Sequence, residues 1–192
     1  MAMSLTRREL PVLVVSAAYL CVFGIVAIRR RHHEFLLYVA VIVVLAGWIL
    51  GVQRKVRFGP RILWGLSLWG LLHMCGGLVR VGDGVLYGVQ LVPRVLRYDQ
   101  FVHAFGFGVA TLACYHLLRP FLRPDIRRGL MLPMLVVLMG CGLGAINEIL
   151  EFIAVKTMPQ TGVGGYDNTL WDLVFNLIGA TTAVAWKGRS SR

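Results

Sequence analysis

Residues 98–106 read Tyr-Asp-Gln-Phe-Val-His-Ala-Phe-Gly, and they open an apolar segment that is long enough to cross a membrane. Asp99 and His103 are four residues apart in this stretch, so both side chains lie on one face of a helix. Burying a carboxylate and an imidazole near the end of a lipid-embedded helix costs free energy unless each group has a partner. The stretch therefore predicts a membrane helix that carries a polar site in its first turns.

The composition is that of an integral membrane protein. Hydrophobic residues make up 57% of the 192 residues, charged residues make up 15%, and the mean hydropathy is +0.71. Runs of about 20 apolar residues recur, and only helices satisfy the backbone of such uninterrupted runs in lipid. We predict an all-α fold, a six-helix transmembrane bundle that forms one integral membrane domain over residues 1–192. The predicted helices cover residues 10–28, 35–52, 60–79, 98–118, 130–155 and 169–186.

The net charge of +11 is spread over short basic clusters between the predicted helices. Such clusters suit anionic headgroups, whereas nucleic-acid binding requires a compact basic face, so no nucleic-acid partner is expected. The N-terminus, the second and fourth loops and the C-terminus together carry 13 of the 20 lysines and arginines. The positive-inside tendency then predicts that both termini are cytoplasmic. The expected partners are membrane lipids and a further membrane protein.

Residues 80–97 form the longest predicted loop. Glycines and Pro93 interrupt its apolar residues, and it carries three arginines. We expect this segment to lie in the membrane interface or to fold back over the helix ends as a lid, where its arginines meet an anionic headgroup.

The predicted topology brings five of the nine acidic residues, with two histidines, to the non-cytoplasmic leaflet. Glu148 and Glu151 are three residues apart, and Asp172 and Asn176 are four apart, so each pair lies on one helical face. Random placement would scatter polar residues over both ends of the helices, so we predict one polar pocket. Its candidate residues are His73, Asp99, His103, Glu148, Glu151, Asp167, Asp172 and Asn176.

Carboxylate and imidazole ligands suit a divalent metal ion such as zinc, manganese, iron, magnesium or calcium. Without a cation, several carboxylates in a low-dielectric pocket repel one another and some must take up protons. The predicted metal ligands are Asp99, His103, Glu148 and Asp172. Glu151 is the predicted catalytic general base, and the predicted substrate contacts or supports of the ligands are His73, Asp167 and Asn176. This pattern favours a metal-dependent hydrolase or transferase that acts on a lipid or lipid-linked substrate.

Simpler explanations stay open for single residues. Asp99 and Asp172 fit the first turns of their helices, where the helix dipole favours a carboxylate. Glu151 fits the headgroup region, and His73 fits a packing role. For the whole chain, the alternatives are a structural or assembly subunit of a membrane complex and an ion- or proton-coupled transporter.

The same residues carry a family resemblance. The matching segments are residues 73–77, 83–87, 97–106, 147–152, 166–172 and 176–179. In this order they resemble the YjdF-like bacterial inner-membrane proteins, and the resemblance implies a multi-pass protein of the inner (plasma) membrane. A looser similarity links the chain to VanZ-like membrane proteins, although Gln100 stands where their Asp-Lys-x-x-His pattern has lysine. The resemblance supports the fold and the site and supplies no substrate.

Overall fold

The computed structural model describes residues 9–123, 126, 129–159 and 161–189. These residues form six long α-helices, and two short β-hairpins connect the third helix to the fourth. The helices are α1 (Leu10–Arg29), α2 (His33–Val56), α3 (Pro60–Leu78), α4 (Tyr98–Leu118), α5 (Met131–Thr157) and α6 (Tyr166–Arg189). The prediction of an all-α fold with six helices is confirmed, and each predicted helix overlaps one of those observed.

Within the described residues, four segments are long and apolar enough to span a membrane. They are Leu10–Arg29, His33–Gln53, Tyr98–Phe121 and Met131–Thr157. Large apolar side chains cover the outer face of α5, including the exposed Leu138, Ile146, Ile149 and Phe152. A continuous apolar surface of this kind is unfavourable in water and suits hydrocarbon chains. The protein is therefore a membrane protein, while the cytoplasmic location of its termini stays a prediction.

The predicted loop over residues 80–97 contains regular structure that the sequence analysis did not predict, since it begins with an antiparallel hairpin. In it, β1 (Arg80–Val81) pairs with β2 (Gly84–Val85). Gly82 occupies the turn with φ +57°, a conformation that glycine adopts without steric cost. Short valine-containing strands on either side of a glycine-containing turn are typical of a hairpin. Hydropathy alone does not distinguish such a segment from a loop.

A second hairpin leads directly into α4. It pairs β3 (Gln90–Val92) with β4 (Leu96–Arg97). The backbone N–H of Arg97 donates to the side-chain oxygen of Gln100 at 2.8 Å, which satisfies one N–H at the start of the helix. The hairpin and this hydrogen bond determine the residue at which α4 begins. They therefore determine that Asp99 and His103 lie in the first two turns of the helix.

α6 begins three residues earlier than predicted. Asn168 and Thr169 lie within the first turn, and their backbone N–H groups donate to the carbonyl of Gly165. The earlier start frees the side chain of Asn168 for other contacts.

The chain divides into two compact units, residues 1–86 and 87–192. The first contains α1, α2, α3 and the first hairpin. Within it, the ring of Phe35 packs directly against Gly77, where a Cβ atom would overlap the ring. Ser16 of α1 and Ser67 of α3 share a hydrogen bond of 2.7 Å between their hydroxyl oxygens.

In the second unit, α4 packs against both α5 and α6. Gly179 of α6 lies against the carbonyl group of Ala104, and Gly144 of α5 lies against the side chain of Asn176. A Cβ atom at either glycine would overlap its neighbour. Small residues allow helices in a membrane to approach closely. The close approach brings polar side chains of the three helices within reach of one another.

Candidate metal centre

α4 supplies Asp99 and His103. One turn of helix separates them, and Nε2 of His103 lies 3.8 Å from Oδ1 of Asp99. His103 is buried, with 6% of its surface exposed, whereas 18% of the Asp99 side chain is exposed. The imidazole therefore lies inside the helix packing, and Asp99 lies nearer to its edge.

α5 supplies Glu148 and Glu151. Oε1 of Glu148 lies 3.8 Å from Nδ1 of His103, and Glu148 is buried. Glu151, one turn further along, accepts a hydrogen bond of 2.9 Å from the side-chain amide of Asn147. The polar end of α5 thus faces α4 and not the lipid. The prediction of one polar pocket requires this orientation.

α6 supplies Asp172 and Asn176, both fully buried. Oδ1 of Asn176 lies 3.1 Å from Nδ1 of His103. The side-chain amide of Asn168, one turn before Asp172, donates to Oδ2 of Asp172 and to Oδ2 of Asp99, the latter at 3.3 Å. Asn168 therefore links a carboxylate of α6 to a carboxylate of α4.

The hydrogen bond to Asn176 defines the state of the imidazole. An amide oxygen only accepts hydrogen bonds, so Nδ1 of His103 is the donor in this contact. In the neutral ring, Nε2 then keeps its lone pair, and it is the nitrogen that faces Asp99. A histidine that ligates a metal commonly donates its other N–H to an oxygen in this way.

Several polar atoms at this site lack hydrogen-bond partners. Among the described residues these buried atoms are both carboxylate oxygens of Glu148, Oδ1 of Asp172 and Nδ2 of Asn176. An unpaired buried carboxylate oxygen is costly, because it loses its water without a replacement. The unpaired oxygens on α5 and α6 make this cluster a candidate ligand site.

In the described part of the chain, two overlapping sets of side chains have the geometry of ligand groups. Asp99, His103 and Asp172 form one set, and His103, Glu148 and Glu151 form the other. Within each set the candidate ligand atoms all lie within 4.8 Å of one another. The ligands of an ion at about 2.1 Å lie roughly 3 to 4 Å apart, so small side-chain rotations would close either set around one ion.

Neither ligand set includes His73 or Asp167. His73 belongs to the first unit, where its ring stacks on Phe35 at 6.0 Å and contacts Tyr38 edge-on at 4.9 Å between centroids. Asp167 lies exposed in the first turn of α6 and belongs to neither ligand set. Their proposed roles stay predictions, whereas the other six predicted residues are brought together in the second unit.

Two amides that border the cluster were not predicted as site residues, and Arg97 was predicted only as one of the loop arginines that meet an anionic headgroup. Asn147 and Asn168 lie one turn before Glu151 and Asp172, so the four-residue spacing that paired the acids could also have identified these amides. Arg97 donates from Nη1 to Oδ1 of Asn168 at 3.5 Å. Its contribution depends on the hairpin that leads into α4, which the sequence analysis did not predict.

Comparisons with known proteins add a family and no activity. The family model described as "Predicted membrane protein (DUF2238)" matches residues 11–192. No curated protein and no solved structure matches the chain. Since the match includes both units and the whole candidate centre, the chain belongs to the DUF2238 family of predicted membrane proteins.

Proposed function

We propose that this protein binds a divalent cation through the cluster around His103 and uses it as a hydrolase or transferase on a lipid or lipid-linked substrate. The observation that carries the proposal is the set of buried oxygens of Glu148 and Asp172 that have no hydrogen-bond partner. Four carboxylates from three helices form two ligand sets, and the imidazole of His103 belongs to both.

The balance of charge favours a cation. Among the described residues, the ion pairs of the four cluster carboxylates are those of Asp99 and Glu148 with His103. No lysine or arginine forms an ion pair with these four groups, although the charge of Arg97 acts on Asp172. Several ionised carboxylates in a low-dielectric interior repel one another strongly. A divalent ion would remove that repulsion and would supply a partner for the unpaired oxygens. The ligand types, oxygen with one nitrogen, suit zinc, manganese, iron or magnesium.

The remaining side chains suit catalysis beside such an ion. A bound divalent cation can polarise a phosphoryl or carbonyl oxygen and can make a bound water more acidic. Glu151 is the candidate general base, because it lies at the edge of the ligand sets and Asn147 holds one of its oxygens. In hydrolysis of an ester, Glu151 would take a proton from water while the water oxygen bonds to the reacting centre. The ester bond then breaks, and the alcohol leaves with a proton. A transferase would use an acceptor hydroxyl in place of water.

The surroundings of the cluster suit a lipid substrate. Large apolar side chains within a few positions of the acidic residues are exposed, namely Phe101, Ile149, Phe152 and Trp171. These side chains would contact acyl chains while the polar cluster, at the first turns of α4 and α6 and the last turns of α5, lies nearer to headgroup level. An amphiphilic substrate would thus reach the ion without leaving the membrane.

A transporter is less well supported. Beyond His103 on the same face of α4, Phe107 and Thr111 are buried, and Thr111 lies against Gly140. The hydroxyl of Thr111 donates to the carbonyl of Phe107 at 2.7 Å, so it is satisfied within its own helix. This packing offers no continuing series of polar groups to an ion within the described part of α4. A purely structural role would leave fewer buried oxygens unpaired, since a polar lock stabilises only when its members are satisfied.

Metal content tests the proposal. The wild-type protein and a His103→Ala variant would be purified without chelators, dialysed against Mn²⁺ or Zn²⁺ and measured by elemental analysis. We expect about one ion per chain in the wild type and an affinity at least about tenfold lower in the variant. His116→Ala is the matched control, because His116 lies on the same helix outside the ligand sets. Equal metal content in wild type and His103→Ala, or none in either, would refute the proposal.

A further inference from the structure

The guanidinium group of Arg97 has few hydrogen-bond partners for its position. Its guanidinium donates a hydrogen bond from Nη1 to Oδ1 of Asn168 at the long distance of 3.5 Å. It forms no ion pair with any described residue, although the four carboxylates of the cluster lie in the same unit. A guanidinium group has five N–H donors in a rigid planar arrangement, so most of its hydrogen-bonding capacity is uncommitted here.

The position of Arg97 is fixed and adjoins the candidate metal centre. Its backbone ends β4, and its N–H is held by Gln100, so the residue cannot drift from the start of α4. Through Asn168 it is two hydrogen bonds away from both Asp99 and Asp172. It is only partly exposed. The charge of Arg97 acts on Asp172, but the two groups form no ion pair within 4 Å, so the guanidinium keeps most of its N–H donors for another anion.

We propose that Arg97 binds a phosphate group whose other oxygens face the metal ion, so that the substrate class is a phosphate ester. The inference rests on the proposed function, since it places the phosphate between the ion and the guanidinium. Arginine matches a phosphate with two parallel N–H donors, and such bonds are about twice as strong as neutral ones. The metal ion and the guanidinium group together would balance the negative charge of the phosphate, which the four carboxylates alone would repel.

The hairpin places this arginine where lipid phosphates occur. The hairpin exposes Leu91 and Val92 of β3 and Val95 of the turn, apolar side chains that suit insertion among lipids at the membrane surface. Arg97 lies at the base of the same hairpin, one residue before the membrane-spanning segment that begins at Tyr98. The phosphate can come from a lipid headgroup or from a free phosphate compound, and both present the same anionic oxygens.

Phosphate binding near a paramagnetic ion tests the proposal. The Mn²⁺-loaded protein would be titrated with inorganic phosphate in detergent and, separately, with phosphatidylglycerol in nanodiscs of phosphatidylcholine. Line broadening of the ³¹P signal by Mn²⁺ reports phosphate that lies beside the ion. We expect Arg97→Gln to weaken binding of at least one of these probes about tenfold or more. Arg97→Lys, which keeps the charge and loses the two parallel donors, should weaken it less.

The control is Arg94→Gln, a change to an exposed arginine in the turn of the same hairpin. It should leave binding unchanged. Broadening of phosphatidylglycerol alone would identify a lipid phosphate, and broadening of inorganic phosphate alone would identify a free one. Binding that is equal in Arg97→Gln and wild type, or no phosphate beside the ion in Mn²⁺-loaded wild type, would overturn the inference. Elemental analysis of each sample distinguishes this outcome from failure of the proposed function, in which no Mn²⁺ is bound.

Discussion

Glu148→Gln is expected to raise the thermal stability of the metal-free protein and to abolish the stabilisation that a divalent cation gives to the wild type. The two effects have opposite signs for one physical reason. Without an ion, Glu148 is a buried carboxylate beside other acids, and a neutral amide of the same shape removes repulsion. With an ion, the same substitution removes a charged ligand.

The magnitudes are large enough to measure. A cation at 1,000 times its dissociation constant stabilises the folded state by about 4 kcal/mol. In the metal-free protein, the loss of repulsion in Glu148→Gln is expected to raise the free energy of unfolding by on the order of 1 kcal/mol. Thermal unfolding in detergent, with EDTA and with added Mn²⁺, measures both. The control is Glu34→Gln, since Glu34 is the buried glutamate of the first unit and accepts a hydrogen bond from Tyr38.

Glu34→Gln should leave the response to Mn²⁺ intact. If Glu148→Gln lowers stability in EDTA and leaves the Mn²⁺ response as in the wild type, the carboxylate serves helix packing and not metal binding. That outcome would support the structural alternative.

Gly179→Leu is expected to disrupt the second unit. Gly179 lies against the carbonyl of Ala104, so an added side chain would force α4 and α6 apart. Overpacking against a backbone group leaves no flexible atom to move, and we expect a loss of about 3 kcal/mol or more in the free energy of unfolding. Separation of α4 from α6 would also lengthen the distance from His103 to Asn176 and Asp172, so metal affinity should fall with stability.

Gly142→Leu is the matched control for this prediction. Gly142 lies on α5 with no atom within 4 Å of an added Cβ, so a leucine there would face open space. Thermal unfolding in detergent should give a midpoint close to that of the wild type for Gly142→Leu and a much lower one for Gly179→Leu. Equal midpoints for the two variants would show that the close approach of α4 and α6 is dispensable.

The helices could be predicted because the membrane imposes their length. Apolar runs of about 20 residues leave one solution for the backbone, so the segment opened by Tyr98 was found with its ends. Hydropathy identifies the apolar part of a helix and not its polar ends. For this reason α2 continues past its predicted end to Val56, and α6 begins before its predicted start, at Tyr166. The hairpins were missed because short strands at the membrane surface carry no length constraint.

The site could be predicted where one helical turn separates two polar residues. Asp99 with His103 and Asp172 with Asn176 share helical faces, and each pair lies in the observed cluster. The spacing does not say which faces meet, and that depends on glycines such as Gly179 that set the approach of the helices. The aromatic rings around His73 belong to residues of another helix, so the spacing of residues along α3 could not predict them.

The local environment of a bound ion tests the central claim most directly. X-ray absorption at the zinc edge of Zn²⁺-loaded protein would count the atoms that ligate the ion and identify their elements. The cluster predicts a shell of oxygen and nitrogen at about 2.0 to 2.2 Å with the signature of one imidazole, and loss of that signature in His103→Ala. The chain also has four cysteines, all free. A sulfur shell at about 2.3 Å, or an imidazole signature that persists in His103→Ala, would contradict the assignment of the metal centre to these carboxylates and this histidine.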